Sequence, residues 1–215
     1  MTEPLIQSLT ESFLRFPGIG PRQARRFVYY LLHASPATIE RLINQIEELK
    51  RSVARCPECG RFYPTSGRQK RNDPCEICSD TTRDGTLLML VEKDIDLENV
   101  LKSDTYDGHF FVLGGLVKVL DKQPEISVRL GDLVRLIEKK KKTGGLEEII
   151  GALTANSDGD ATVEFLKEKL APILEKNQLK FSSLGRGFST GVEVEYSDTD
   201  TLKNALKNRQ WSPLL

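Results

Sequence analysis

The chain has 215 residues, of which 39% are hydrophobic and 29% are charged. This composition is ordinary for a soluble globular protein, and the length allows one good-sized core or two small modules. The longest apolar runs, such as 87–91, are too short to span a bilayer. The amino terminus lacks the basic start and following apolar block that would argue for export. We therefore expect a cytoplasmic protein without a membrane segment.

The net charge of zero hides an asymmetry along the chain. Residues 1–71 contain twelve Lys and Arg against six Asp and Glu, so the remainder carries an equal acidic excess. A basic module joined to an acidic one indicates that only the first third meets a polyanion, while the rest binds metal or protein.

Two helices joined by a glycine turn are predicted at the amino terminus. Apolar residues from Leu5 to Leu14 recur at helical spacing, and Pro21 suits the first position of a second helix. The intervening glycines, one on each side of an isoleucine, let backbone amides approach a phosphate, while nearby arginines supply counter-charge. The pattern is a helix-hairpin-helix, and the alternative is an αα-hairpin with solvated arginines. The candidate DNA-binding residues are Gly18, Gly20, Arg22, Arg25 and Arg26.

A third helix is predicted to open at Ser35-Pro36. Its apolar residues follow helical spacing, so we expect them to face inward. They are Ile39, Leu42, Ile43, Ile46, Leu49 and Val53.

All the cysteines of the chain form two Cys-x2-Cys pairs separated by fifteen residues. Each pair presents two thiolates from one tight turn, and four thiolates hold a structural zinc ion without leaving a position for water or substrate. The spacing therefore predicts bound Zn²⁺, with two disulfides or four unrelated buried thiols as the alternatives. The predicted ligands are Cys56, Cys59, Cys75 and Cys78.

Beyond the cysteines, strands alternate with helices, which predicts a mainly parallel sheet covered on both faces. Strands are predicted at 86–91, 109–113, 149–153, 179–183 and 192–196. Helices are predicted at 95–101, from 130 into the lysines at 139–142, at 161–174 and at 199–206.

Three carboxylates are placed near carboxyl ends of the predicted strands. Glu92 follows the 86–91 strand, and Asp158 and Asp160 follow the 149–153 strand. Because ligands of such sheets bind beyond these strand ends, neighbouring strands would bring the three together in a site that suits Mg²⁺. The alternative is that the two aspartates form a turn and cap the next helix.

The order of these motifs resembles the RecR family of bacterial recombination mediators, over nearly the whole chain. The most specific pieces are Phe16-Pro17-Gly18-Ile19-Gly20-Pro21, Asp73-Pro74-Cys75-Glu76-Ile77-Cys78-Ser79-Asp80, Val112-Leu113-Gly114-Gly115 and Val194-Glu195-Tyr196-Ser197-Asp198.

The resemblance implies a helix-hairpin-helix domain at 1–54, a four-cysteine zinc finger at 55–80 and a Toprim domain at 81–184. It also implies a carboxyl-terminal segment at 185–215, where 191–198 matches a region linked to ring contacts. RecR-like proteins are regarded as non-catalytic and form ring-like oligomers on DNA. With RecO-like and, in many bacteria, RecF-like partners they help to load RecA on single strands. Relatives more often have Glu-Gly-Glu where this chain has Asp158-Gly159-Asp160.

Three hypotheses follow. The first is a DNA-binding mediator, a dimeric or tetrameric ring without enzymatic activity that binds DNA irrespective of sequence. The second is a Mg²⁺-dependent Toprim-type nuclease that uses Glu92, Asp158 and Asp160. The third treats the same carboxylates as a docking surface for a basic protein partner.

Overall fold

The computed structural model describes residues 3–65, 72–143 and 145–209. The basic tip of the cysteine hairpin, at 66–71, lies outside the described residues. The chain divides into two compact units after Val53. In chain order the elements are α1 (Glu3–Leu14), α2 (Pro21–His33), α3 (Pro36–Ser52), β1 (Val53–Arg55), β2 (Phe62–Pro64), α4 (Glu76–Ser79), β3 (Asp84–Val91), α5 (Asp94–Ser103), β4 (Gly108–Val112), α6 (Pro124–Ser127), α7 (Leu130–Thr143), β5 (Glu148–Ala152), α8 (Ser157–Asn177), β6 (Lys180–Ser183), a 3₁₀ turn (Val194–Tyr196) and α9 (Thr199–Lys207).

The first unit confirms the predicted pair of helices and the helix that follows. Ala24 and Val28 of α2 are buried, and the rings of Phe13 and Phe27 meet edge to face with centroids 5.6 Å apart. The hydroxyl of Ser35 accepts the backbone N–H of Thr38 at 3.3 Å, which satisfies one of the free donors at the start of α3.

The expectation that the apolar residues of α3 face inward is wrong for most of them. No side chain of this helix is buried, and Ile46 and Leu49 are 54% and 60% exposed. Helical spacing predicts that a helix is amphipathic, which α3 is, but it does not predict that a covering element lies within the described residues.

The second unit is built on a four-stranded parallel sheet in the order β4-β3-β5-β6, which confirms the predicted parallel sheet. In the centre, Met89 lies opposite Phe110 of β4 and Ile150 of β5. The carboxyl ends of β3 and β5 are therefore neighbours at one edge. None of the described helices combines the length and the apolar character that crossing a bilayer requires.

The two faces of this sheet are covered differently. Alternate side chains of a strand point to opposite faces, so Leu88 and Leu90 of β3 face one core and Met89 and Val91 face the other. Helices α7 and α8 cover the first face. On the second face, Leu97 of α5 shares the core with residues of the cysteine hairpin. These are Ala54, Cys56, Cys59, Tyr63, Cys75 and Ile77.

Two element predictions in the second unit need correction. The segment 192–196 is not a strand, since it contains the 3₁₀ turn and exposes Val194 and Tyr196 by 64% and 78%. Helix α8 begins at Ser157, four residues before the predicted start, because Asn156 caps it by accepting the N–H of Gly159 at 2.8 Å.

Candidate metal centre, acidic edge and helix hairpin

The four cysteines come from two short turns that β1 and β2 and the helix α4 hold in place. Cys56 follows β1, and the turn after it closes because Gly60 adopts a φ of +74° and donates its N–H to the Cys56 carbonyl at 3.0 Å. Cys75 is the cap residue of α4, and Cys78 lies within that helix. The β1–β2 pair thus brings both turns to one point.

The sulfur geometry fits a tetrahedral metal ion and excludes a disulfide. All four Sγ atoms lie within 4.8 Å of one another, with Cys56 to Cys78 at 3.9 Å and Cys59 to Cys75 at 3.7 Å. A disulfide would require about 2.05 Å. Four sulfurs at about 2.3 Å from one tetrahedral ion would lie about 3.8 Å apart. The observed spacing is therefore that of a metal-binding quartet.

The crowded thiols also favour a bound cation. Hydrogen bonds from the other three cysteines, led by Cys59, lower the pKa of Cys56, while the hydrogen bonds with Cys56 and Cys75 raise the pKa of Cys59. The pKa is thus lowered at Cys56 and Cys75 and raised at Cys59 and Cys78, so that full deprotonation of the quartet needs a positive ion among the sulfurs.

Arg129 ties the metal centre to the end of β4. Its guanidinium donates to the carbonyl of Gly60 at 2.9 Å and to the carbonyl of Val112, and it lies 5.8 Å from the centroid of the Phe111 ring. The N–H of Val112 in turn donates to the Cys59 carbonyl at 2.8 Å. The cysteine turn and the strand end consequently form one hydrogen-bonded assembly.

Glu92 directly follows the carboxyl end of β3. The side chain is largely buried, accepts a hydrogen bond from the Thr154 hydroxyl at 3.1 Å and pairs with the Lys93 ammonium at 2.6 Å. Its backbone carbonyl accepts the N–H of Gly114 at 2.9 Å. The loops that follow β5 and β4 therefore hold Glu92 in place, the first through its carboxylate and the second through its backbone.

The two aspartates of α8 have different partners. Asp158 accepts the N–H of Val119 at 3.3 Å, and the exposed Asp160 binds the guanidinium of Arg186 through both of its oxygens. The hydrogen bond from Arg186 lowers the pKa of Asp160. Neither aspartate caps α8, although both lie in its first turn, where negative charge is favourable.

The three carboxylates are neighbours in topology but do not form a ready metal site. Among the described residues, only the cysteines form a group of three or more His, Cys, Asp or Glu ligands close enough to share an ion. Gly159 separates the aspartates for a steric reason, since an added Cβ would lie 1.8 Å from the Thr154 carbonyl oxygen.

The turn between α1 and α2 leaves backbone donors open. Gly18 has a φ of +77°, and Gly20 caps α2 without a side chain that could bond its first N–H groups. Pro21 fills the first helical position, and the first turn contains no acidic residue. This arrangement suits an anion at the helix start.

The predicted arginines surround this helix start. Arg22, Arg25 and Arg26 are all exposed, and within the described chain none of them forms an ion pair. The hairpin glycines and the arginines thus belong to one exposed, basic surface.

Sequence reasoning missed two residues that organise the second unit. Arg129 and Arg186 reach partners 69 and 26 positions away, and neither stands in a local pattern that would have marked it. The one available signal was the isolated arginine between apolar residues at 128–130.

Comparison with known proteins agrees with this arrangement. Residues 6–50 match the family described as RecR, helix-hairpin-helix. The chain is 35% identical to Recombination protein RecR of Bifidobacterium animalis subsp. lactis, with 95% of each chain covered. It is 32% identical to that of Rhizorhabdus wittichii, with 98% of each covered, and 33% identical to that of Bacteroides thetaiotaomicron, with 95% and 93% covered. The helical hairpin, the four-cysteine centre and the parallel sheet thus occur in a chain that belongs to the RecR family.

Proposed function

We propose that this protein is a recombination mediator in DNA repair. In this proposal it binds DNA without sequence preference, forms a dimeric or tetrameric ring around it and promotes RecA loading on single-stranded gaps together with RecO-like and RecF-like partners. Relatives over the full length are named recombination proteins. The observation that carries the proposal is the uncapped start of α2, where open backbone donors lie beside exposed arginines.

The binding mode follows from the chemistry of this surface. Backbone N–H groups and guanidinium ions bind phosphates, which are the same for every sequence. Several copies in a ring would add many weak contacts, so that DNA is retained although each contact is weak. Affinity should then fall steeply with salt, because each neutralised phosphate releases counterions.

The test compares two double variants that remove the same charge. Arg22→Ala with Arg25→Ala should weaken binding to all DNA sequences and reduce the slope of log affinity against log salt by about 2 per copy. Lys142→Ala with Lys176→Ala, which removes two exposed lysines of the second unit, should leave the slope unchanged. Equal slopes in both variants would place the DNA surface elsewhere.

Exposed apolar side chains support the proposed oligomer. Several apolar side chains are more than half exposed in one copy. Among them are Ile46 on α3 and Val194, Tyr196 and Leu206 in the carboxyl-terminal segment. Burial of such residues against another copy would remove apolar surface from water. Ile46→Glu and Tyr196→Glu should each lower the mass measured by light scattering. Masses equal to that of the parent would exclude both surfaces as ring contacts.

We propose Zn²⁺ as the metal of the cysteine centre. Four sulfur ligands at tetrahedral spacing are the preferred site of a structural zinc ion and leave no position for a reactant. Elemental analysis of the purified protein should find one zinc ion per chain, and a Cys75→Ser variant should lose most of it.

The acidic edge is proposed as a docking surface for a basic partner rather than as a Mg²⁺-dependent nuclease centre. Asp160 already binds an arginine side chain through both oxygens, which is the chemistry such a partner would offer. Incubation of end-labelled gapped duplex with Mg²⁺ or Mn²⁺ should leave every strand intact. Cleavage that disappears in Asp158→Asn would establish the nuclease instead.

A further inference from the structure

One large aromatic side chain of the helix hairpin has no place in the phosphate-binding scheme. Phe16 precedes the glycine turn and is 58% exposed. Its ring lies against Phe13, with centroids 5.9 Å apart, and Phe13 in turn packs on Phe27. The Phe16 ring is thus supported from one side by a small aromatic cluster and open to solvent elsewhere.

The segment of the chain that contains this ring is basic. From residue 12 to residue 39 the chain contains no Asp or Glu, and its four arginines are Arg15, Arg22, Arg25 and Arg26. All four are exposed, and within the described chain none of them is held in an ion pair. The open start of α2 adds further donors four residues from the ring.

The charge decides which occupant fits the exposed ring. A second copy of the same segment would bring eight arginines together, with no Asp or Glu between residues 12 and 39 to pair with them, which is unfavourable. A single strand of DNA instead carries phosphates that attract the arginines and unpaired bases whose flat faces suit the ring. Bases within a duplex are stacked on each other and offer no such face.

We infer that Phe16 stacks on an unpaired base of single-stranded DNA while the hairpin amides and arginines bind the adjacent phosphates. This inference rests on the proposed DNA-binding function and goes beyond it, because phosphate contacts alone do not distinguish single from double strands. The hairpin would then prefer the single-stranded side of a gap.

The experiment uses the full chain and three probes of equal length. These are a 20-nucleotide dT strand, the same strand with abasic sites throughout, and a duplex with the dT sequence on one strand. Phe16→Leu keeps an apolar contact with Phe13 but removes the flat ring, and it should weaken binding to the dT strand about tenfold. Binding to the abasic strand and to the duplex should be unchanged, as should the salt slope. Phe16→Tyr should restore the affinity for dT.

Tyr30→Leu is the matched control, since this aromatic residue is 66% exposed but lies nine positions beyond the start of α2. Its affinity for dT should equal that of the parent. Equal losses on all three probes, or no loss on dT, would overturn the inference while leaving the proposed function intact. A change of oligomeric mass in Phe16→Leu would also overturn it, because the ring would then pack on another copy. Failure of the parent to bind any probe would refute the proposed function itself, and the inference with it.

Discussion

Replacement of Gly159 by alanine should destabilise the second unit, because a methyl group has no room there. The added Cβ would lie 1.8 Å from the Thr154 carbonyl oxygen and 3.0 Å from its carbon, both of which are backbone atoms that cannot rotate away. The start of α8 must therefore move by about 1 Å, at a cost of about 1–3 kcal/mol for overpacking. Loss of the Asn156 cap adds about 1 kcal/mol, and the better helix propensity of alanine returns about 1 kcal/mol. The net loss is about 2 kcal/mol.

Urea denaturation followed by far-UV circular dichroism measures this loss. A domain of this size has an m-value of roughly 2 kcal/mol per molar urea, so the midpoint should fall by about 1 M. Gly131→Ala is the control, since Gly131 is also helical but exposed, with nothing within 4 Å of its added Cβ. This control should be neutral or stabilised by up to about 1 kcal/mol. An unchanged midpoint for Gly159→Ala would refute the steric argument.

Three further predictions concern the interior of the second unit. Removal of the metal by a chelator should lower the melting temperature and abolish the near-UV circular dichroism of the core between the sheet and the cysteine hairpin. The reason is that structural zinc contributes about 10 kcal/mol or more of folding free energy. Arg129→Met leaves the carbonyls of Gly60 and Val112 without this donor, so the free energy of unfolding should fall by about 3 kcal/mol in urea titration. Burial, reinforced by Lys140, lowers the pKa of His109 to about 4 from its ordinary 6.5. As the pH falls through this range, only the unfolded chain gains a proton, so stability should drop by at most about 3 kcal/mol.

Each of these predictions has a specific control. The chelator effect should reverse on addition of one equivalent of Zn²⁺, and an unchanged melting curve would show that the quartet is not structural. Arg135→Met removes an exposed arginine that pairs with Asp132 and should change the free energy of unfolding little. A loss equal to that of Arg129→Met would show that the hydrogen bonds of Arg129 do not stabilise the unit. His109→Phe removes the titrating group, so the free energy of unfolding of the parent relative to this variant should be higher at neutral pH than at pH 4. Parallel pH profiles of the two proteins would exclude the histidine as the cause.

Strands β3 and β4 were predictable because both of their faces are buried along most of their length. Residues 87–91 and 110–113 are apolar at every position, so no choice of face was needed. The cysteine centre was predictable from spacing alone, since each pair of ligands lies in one tight turn. Such features are encoded locally.

Features that depend on distant partners were not predictable in the same way. The alternation of Val192, Val194 and Tyr196 is typical of a strand, but a strand also requires a neighbour to pair with, and the described sheet ends at β6. The early start of α8 depends on Asn156, a cap that local reasoning overlooked in favour of the aspartates. The partner of Asp160 could not be read at all, because Arg186 reaches it from beyond β6.

The position of the cysteine hairpin in the chain has a consequence for synthesis on the ribosome. All four ligands precede β3, although they cover one face of the sheet that β3 begins. A nascent chain, which folds from its amino terminus, can therefore bind its metal before the first central strand emerges. The opposite face is fully covered only after α8, which ends at Asn177, has been synthesised. During that interval the newly made β3 and β4 present leucine and phenylalanine side chains without cover, and the growing chain is most exposed to aggregation.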